Sequence, residues 1–313
     1  MNTNPGILIT GYNRPKLLRR QIDFSLSTGL RVFVAIDGPK DNKDQEIEND
    51  ICHKIVNEYK FKLERILLNE RNLGCNTSVT NAISWAFEHL ESMIILEDDV
   101  IVDESFINYA IAGLQYFKNI DNISSLSGMN LVPTEYLSDS TSIARLTCFT
   151  SSWGWATWKD RWIEHLSVSK EFPNWDWNFP TRFWTTNKKV VWREFFRKTA
   201  ESEYDAWDFR WQYSNLKLQK LSVVPNLNLA LNCGFGEFAT HTTSLEKPHW
   251  MPTEIMPVEN VDFDHVVLAQ DQIADNWMAA NHYGVTLLTR IKIQLGNKLP
   301  NLKKLYRLFM RNK

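Results

Sequence analysis

Three consecutive carboxylates, Glu97-Asp98-Asp99, interrupt an otherwise apolar run from Met93 to Val102. Acids set side by side repel one another, so a site built on them needs a cation. Oxygen-only ligands suit a hard ion such as Mg²⁺ or Mn²⁺, which takes one or two carboxylates and completes its shell with phosphate oxygens and water. The chemistry this implies is a metal-bound diphosphate. For an isolated Asp-Asp pair, an acidic turn closing a strand is the plainer reading. The apolar residues on both sides, and polar groups at comparable points upstream, favour a site.

Those upstream groups end successive short apolar runs: Thr10-Gly11-Tyr12-Asn13-Arg14-Pro15, then Ile36-Asp37-Gly38-Pro39, then Asn69-Glu70-Arg71-Asn72-Leu73-Gly74. Arg14 can hold a phosphate by a forked, charge-assisted contact. Asp37 can accept the imide N–H of a uracil ring. Asn72 and Gly74 allow the positive φ that close backbone approach to a ligand needs. Each is also explicable as an ordinary polar strand end or turn.

The elements that must position these groups follow from periodicity. Continuous apolar runs mark strands buried on both faces, and their alternation with amphipathic segments predicts strand-helix-strand units around a mostly parallel sheet. Strands are expected near Gly6–Thr10, Arg31–Ile36, Glu64–Leu68, Met93–Glu97 and Ile123–Ser127. Helices are expected near Lys16–Ser27, Gln45–Tyr59, Thr77–His89 and Glu104–Phe117, with Asp44 and Asp103 as N-caps and Pro15 in a first turn. Ligands of open α/β sheets bind outside the carboxyl ends of the strands, so four strand tips would face one site.

Beyond residue 130 the composition changes, and ten of thirteen tryptophans lie between Trp153 and Trp211. In Ser151-Ser152-Trp153-Gly154-Trp155-Ala156-Thr157-Trp158, read as a loop, Trp153 and Trp155 could stack on sugar C–H faces while Gly154 lets backbone approach the ligand. Trp158, Trp162, Trp184 and Trp192 read as core filling. Helical stretches are expected at Asn187–Thr199 and Ala206–Gln219. The string Tyr204-Asp205-Ala206-Trp207-Asp208 offers Asp205 or Asp208 as the base that takes a proton from an acceptor hydroxyl, with N-capping the alternative for Asp205. Downstream of the Gly-rich turn at Gly234, His241 could ligate a metal or bond a diphosphate oxygen, or be structural.

Taken together, strand-N-R-P, strand-D-G-P, N-x-x-N-L-G before a helix, and I-I-L-E-D-D-V resemble the GT-A-fold nucleotide-sugar glycosyltransferases, most closely family-2-like bacterial sugar transferases. In its E-D-D form the acidic motif is similar to that of N-acetylglucosaminyltransferase I. W-G-W-A-T-W, W-D-F-R-W (near the family's W-D-Y-Q-W), P-x-x-N-L-x-x-N-x-G-F-G and A-T-H-T extend the resemblance to about residue 245. It implies that Thr10, Tyr12, Arg14, Asp37, Asn72, Gly74, Glu97 and Asp98 bind the donor, with Glu97 in a place where the general pattern prefers Asp. It further implies that Asp99, with His241, holds Mn²⁺ or Mg²⁺, that Asp208 or Asp205 is the base, and that Trp153, Gly154 and Trp155 meet the acceptor. The expected partners are a nucleoside-diphosphate sugar, with UDP favoured, and a glycan or lipid-linked acceptor. A sugar-nucleotide pyrophosphorylase is the nearest rival, but such enzymes carry a Gly-rich G-x-G-T/S-R loop after strand one, which is missing here. A non-catalytic carbohydrate-binding protein would need neither the acids nor a nucleotide.

With 313 residues, 43% of them apolar, the chain can bury a full core, and a net charge of −2 carries no nucleic-acid signature. The expected organisation is a nucleotide-sugar half at 1–130, an acceptor and catalytic half at 131–250, and an extension at 251–313. Cys52, Cys75, Cys148 and Cys233 are scattered, which predicts neither disulfide framework nor zinc site. A polar opening without a secretory signal and apolar runs too short for a membrane span lead to a cytoplasmic expectation. From Thr286 to Lys313 there are eight Lys or Arg and no acid, which admits contact with the inner face of a membrane through a basic amphipathic tail or a solvated terminal helix.

Overall fold

A computed structural model describes residues 4–40, 42–170, 184–234 and 251–298. The expected strand-helix alternation is present. Strands β1 (Gly6–Gly11), β2 (Arg31–Ile36), β3 (Arg65–Leu68) and β4 (Ser92–Glu97) alternate with helices α1 (Pro15–Ser27), α2 (Lys43–Glu58) and α3 (Cys75–Ala86). Strand β5 (Val100–Val102), helix α4 (Glu104–Tyr116) and strand β6 (Ile123–Ser127) follow. The remainder adds β7 (Ala144–Thr147), β8 (Trp155–Trp158), α5 (Lys159–Ser169), α6 (Thr186–Ala200), α7 (Asp208–Lys217), β9 (Leu221–Pro225), β10 (Ala230–Asn232), α8 (Gln272–Asn281) and α9 (Leu287–Lys298).

Eight strands form one sheet in the order β3-β2-β1-β4-β8-β6-β9-β7. Six run in one direction, while β8 and β7 oppose them. Strand β8, the W-A-T-W string, inserts between β4 and β6 and joins both halves of the chain in a single sheet. The apolar runs of β1, β2 and β4 are buried end to end, as helices on both faces require. Strands β5 and β10 make a separate antiparallel ribbon just past the tip of β4.

Helix starts show where local chemistry was readable. Pro15 opens α1, and Asp103 caps α4 by accepting from the Ser105 and Phe106 N–H groups. The expected cap at Asp44 is corrected. Asn42 caps α2 and Asp44 lies in the first turn, because the helix begins two residues earlier and Asn42 Oδ1 reaches the Asp44 and Gln45 N–H groups. Segment 251–298 is strapped to the β7 edge. Asp275 accepts from Thr147 Oγ1 and, at 2.9 Å, from Cys148 N, while Asp271 N donates to Leu146 O at 2.8 Å. Trp158, Trp162, Trp184 and Trp192 are all buried, as their core reading requires.

Candidate active site

Parallel pairing levels the strand ends. Gly11 pairs with Ile36, Ile36 with Leu68 and Thr10 with Glu97, so the residues after β1, β2, β3 and β4 emerge along one edge. At its centre Asp98 and Asp99 form the turn between β4 and β5, both buried at 5% exposure. Asp98 N donates to Thr10 O at 2.9 Å, which ties the turn to the neighbouring strand. A Cβ on Gly11 would lie 3.2 Å from Asp98 Oδ2, a close approach that lets the carboxylate rest on β1.

One guanidinium answers three acids. Arg14 Nη1 lies 2.8 Å from Asp98 Oδ1 and 2.8 Å from Asp99 Oδ2. Burial pushes the Glu97 carboxyl well above the usual carboxylate range, with Asp99, Asp98 and Asp208 adding repulsion. Burial raises Asp98 to about 6 although Arg14 opposes it, and Asp99 is raised by burial in the same way. Uncompensated acid in low dielectric is what a bound cation relieves.

The residues fit a hard divalent ion. Among the described residues Asp99 Oδ1 is buried with no hydrogen-bond partner, and such an orphaned oxygen is costly unless something binds it. The ribbon closes over it. Cys233 N donates to Asp99 O at 2.8 Å, and a Cβ on Gly234 would lie 2.0 Å from Asp99 Oδ2, so only glycine passes there. Among the described residues no three His, Cys, Asp or Glu side chains converge as a complete protein cage. Ions that keep phosphate and water in their shells need none. His241 lies outside the described residues.

The tip of β2 differs from the expectation in its chemistry. The Asp37 carboxylate is already engaged, accepting from Gly38 N, Asn69 Nδ2, Asn72 Nδ2 and Leu73 N at 2.9–3.2 Å. It anchors the 69–73 loop instead of presenting a vacant acceptor to a base. Asn49, on the buried face of α2, donates to Tyr12 O and Asp37 O, both at 2.7 Å, and so clamps the ends of β1 and β2 together. The helical reading overlooked Asn49. Its signal was a polar residue in the same i, i+3, i+7 stripe as Cys52 and Val56. Tyr12, half-buried, bonds Gln45 Oε1 and Lys40 N through its hydroxyl.

The two aspartates of the second cluster separate in role. Asp205 is a cap, but not of its own helix. Its oxygens accept from Cys75 N at 2.8 Å and Asn76 N at 3.1 Å, closing the N-terminus of α3 from 130 residues away. Gly74, at φ 81°, is the N-cap position beneath it. Asp208 opens α7, half-buried, and repels the charged form of Glu97 and the charged forms of Cys75 and Tyr283. Asp208 is thus within electrostatic reach of Glu97.

The aromatic segment is corrected in part. Trp155 is the first residue of β8, not part of a loop, at 1% exposure with its ring stacked 5.3 Å from Trp207. Gly154, at φ 69°, faces the β5–β10 ribbon, with Val100, Val102 and Ala230 near its virtual Cβ. Close packing between protein segments accounts for both. Trp153 alone stays half-exposed in the loop, with its ring edge-on to His282 at 6.3 Å.

Residues 12–154, somewhat less than half of the chain, match the family model for glycosyltransferase family 25 (LPS biosynthesis protein). No curated protein matches the sequence. Similar solved structures include the mannosyltransferase PcManGT from Pyrobaculum calidifontis in complex with GDP-Man and Mn²⁺, at 10% identity over 69% of this chain and 70% of that one, with a TM-score of 0.38. Residues 1–349 of S. aureus TarS are similar at 14% identity over 71% and 58%, with a TM-score of 0.39. GalNAc-T7 with UDP, GalNAc and Mn²⁺ is similar at 11% identity over 72% and 43%, with a TM-score of 0.41. The chain thus spans little more than half of that TarS fragment and less than half of GalNAc-T7. The family match covers the acidic tip and the strand ends around it, and over residues 12–154 the chain is similar to the glycosyltransferases of that family.

Proposed function

We propose that the chain moves a sugar from a nucleoside-diphosphate donor to a hydroxyl of a glycan or lipid-linked glycan, with inversion at the anomeric carbon, in bacterial surface polysaccharide synthesis. The observation that carries this reading is the buried acidic tip, where among the described residues Asp99 keeps one oxygen unpartnered beside Arg14. The family description points to lipopolysaccharide, and similar structures hold GDP-Man with Mn²⁺, UDP-GlcNAc, or UDP and GalNAc with Mn²⁺.

In this reading Asp99, with His241, holds Mn²⁺ or Mg²⁺, which when bound neutralises charge on the departing diphosphate. Arg14 exchanges its carboxylate contacts for phosphate oxygens as the donor arrives, a natural role for its planar donor set. Thr10, Tyr12, Asn72, Gly74, Glu97 and Asp98 line the donor, with Asp37 and Asn49 fixing the loops they stand on. Asp208 takes the proton of the acceptor hydroxyl as its oxygen bonds the anomeric carbon and the bond to the diphosphate breaks. Trp153 offers a ring to the acceptor.

Screening nucleotide sugars for Mn²⁺-dependent thermal stabilisation identifies the donor, since a ligand that binds only the folded state raises its stability by mass action. Asp208→Asn should then abolish transfer while leaving metal-dependent donor binding intact. Loss of donor binding in that variant refutes its assignment as base.

A further inference from the structure

Helix α9 is built to face in two directions. Thr286 caps it through a 3.1 Å bond from Thr289 N to Thr286 Oγ1, after a turn at Gly284 with φ 61°. Ile293 packs into the core cluster, and Arg290 bonds Asn187 Oδ1 of α6 at 3.1 Å. The opposite side is apolar and open. Leu287, Leu288, Ile291 and Leu295 are 58%, 69%, 41% and 54% exposed.

At 100° per residue, Leu287, Ile291, Leu295 and Leu288 fall within an arc of about 100° on the helix. Lys292 projects on one flank of that stripe, while Arg290 on the other flank is tied to α6. Single exposed leucines need no explanation, but four in one stripe do. The charge of this segment has one sign, since the sequence from Thr286 to Lys313 holds eight cations and no acid. An apolar stripe bordered by Lys292, in a segment whose sequence carries cations and no acid, matches an anionic lipid surface better than a protein groove.

We propose that α9 lies in the interface of an anionic bilayer, with Leu287, Leu288, Ile291 and Leu295 inserted among the acyl chains and Lys292 at the phosphates. No helix among the described residues is long and apolar enough to cross a membrane, so this contact is peripheral. The proposal rests on α9 alone and does not depend on the donor assignment. It adds a reason for the reading of a lipid-linked acceptor: α9 packs on α6, and α6 on α7, whose first residue is Asp208.

The test is flotation of the full chain with vesicles of phosphatidylcholine alone and of phosphatidylcholine with phosphatidylglycerol. Binding is expected only to the anionic vesicles and should weaken at high salt. Leu288→Gln and Leu295→Gln should each lower partitioning by roughly tenfold, and Lys292→Gln by about fivefold, with unfolding temperature unchanged. Equal binding to both vesicle types, or none, overturns the proposal. So does a fall in unfolding temperature in the leucine variants, which means the chain itself covers the stripe. A dimer in solution that the same substitutions dissolve overturns it too, by assigning the stripe to a second copy.

Discussion

The clasp between Asp205 and the start of α3 separates a structural from a catalytic reading of that carboxylate, and Gly74→Ala probes it most sharply. A methyl at Gly74 would stand 2.6 Å from Asp205 Oδ2, on a backbone at φ 81°. A positive φ costs a non-glycine residue about 1 kcal/mol or more. Displacing the carboxylate from the Cys75 and Asn76 N–H groups forfeits a helix cap worth about 1 kcal/mol, so the total is about 2–3 kcal/mol. Asp205→Ala removes the cap alone, at about 1 kcal/mol. Because the clash vanishes once the carboxylate is gone, the double variant should cost about 1 kcal/mol less than the sum of the singles. Urea unfolding of the four proteins measures this cycle. Strict additivity, or Asp205→Ala that abolishes transfer with unchanged stability, refutes the clasp and restores Asp205 as a candidate base.

Other perturbations follow from the same contacts. Asp37→Asn places an amide NH₂ among donors from Asn69, Asn72 and Leu73, so it should destabilise by about 1–3 kcal/mol and loosen nucleotide binding, as read by urea midpoint and calorimetry. Trp155→Ala should cost about 3–5 kcal/mol as a core truncation, whereas Trp153→Ala should leave stability nearly unchanged and raise the KM for acceptor. His165 is buried, bonded to Ser214 Oγ at 2.8 Å, and held down to about 3 by burial with Arg210 nearby. Its folded value lies below its unfolded one, so its contribution is full above about pH 6.5. As pH falls from there towards 3, stability drops by up to about 1.4 kcal/mol per unit. His165→Gln should flatten that slope in urea midpoints measured across pH.

Much of the donor half was legible because strand periodicity and strand-end chemistry are local. The apolar run before Glu97 fixes β4, Pro15 and Asp103 mark helix starts, and parallel pairing then places Arg14, Asp98 and Asp99 together without further information. What was not legible depends on partners far away in sequence. Asp37 could not be seen as saturated until residues 69–73 folded back on it. Asp205 looks like a cap for the helix after it, yet serves α3. The W-G-W-A-T-W string has loop composition, but β4 and β6 recruit its second half as a strand, and Trp207 then covers Trp155. Cross-strand pairing overrode local propensity there.

The central claim is that Asp99 helps hold a divalent ion that grips the donor diphosphate. Titration calorimetry of UDP and GDP into the full chain, with and without Mn²⁺, tests it best above pH 7, where Asp98, raised to about 6, is ionised. The account predicts nucleotide binding that strengthens at least tenfold with Mn²⁺, and loss of that gain in Asp99→Asn. Binding equally tight without metal, or a Mn²⁺ effect that survives Asp99→Asn, contradicts it.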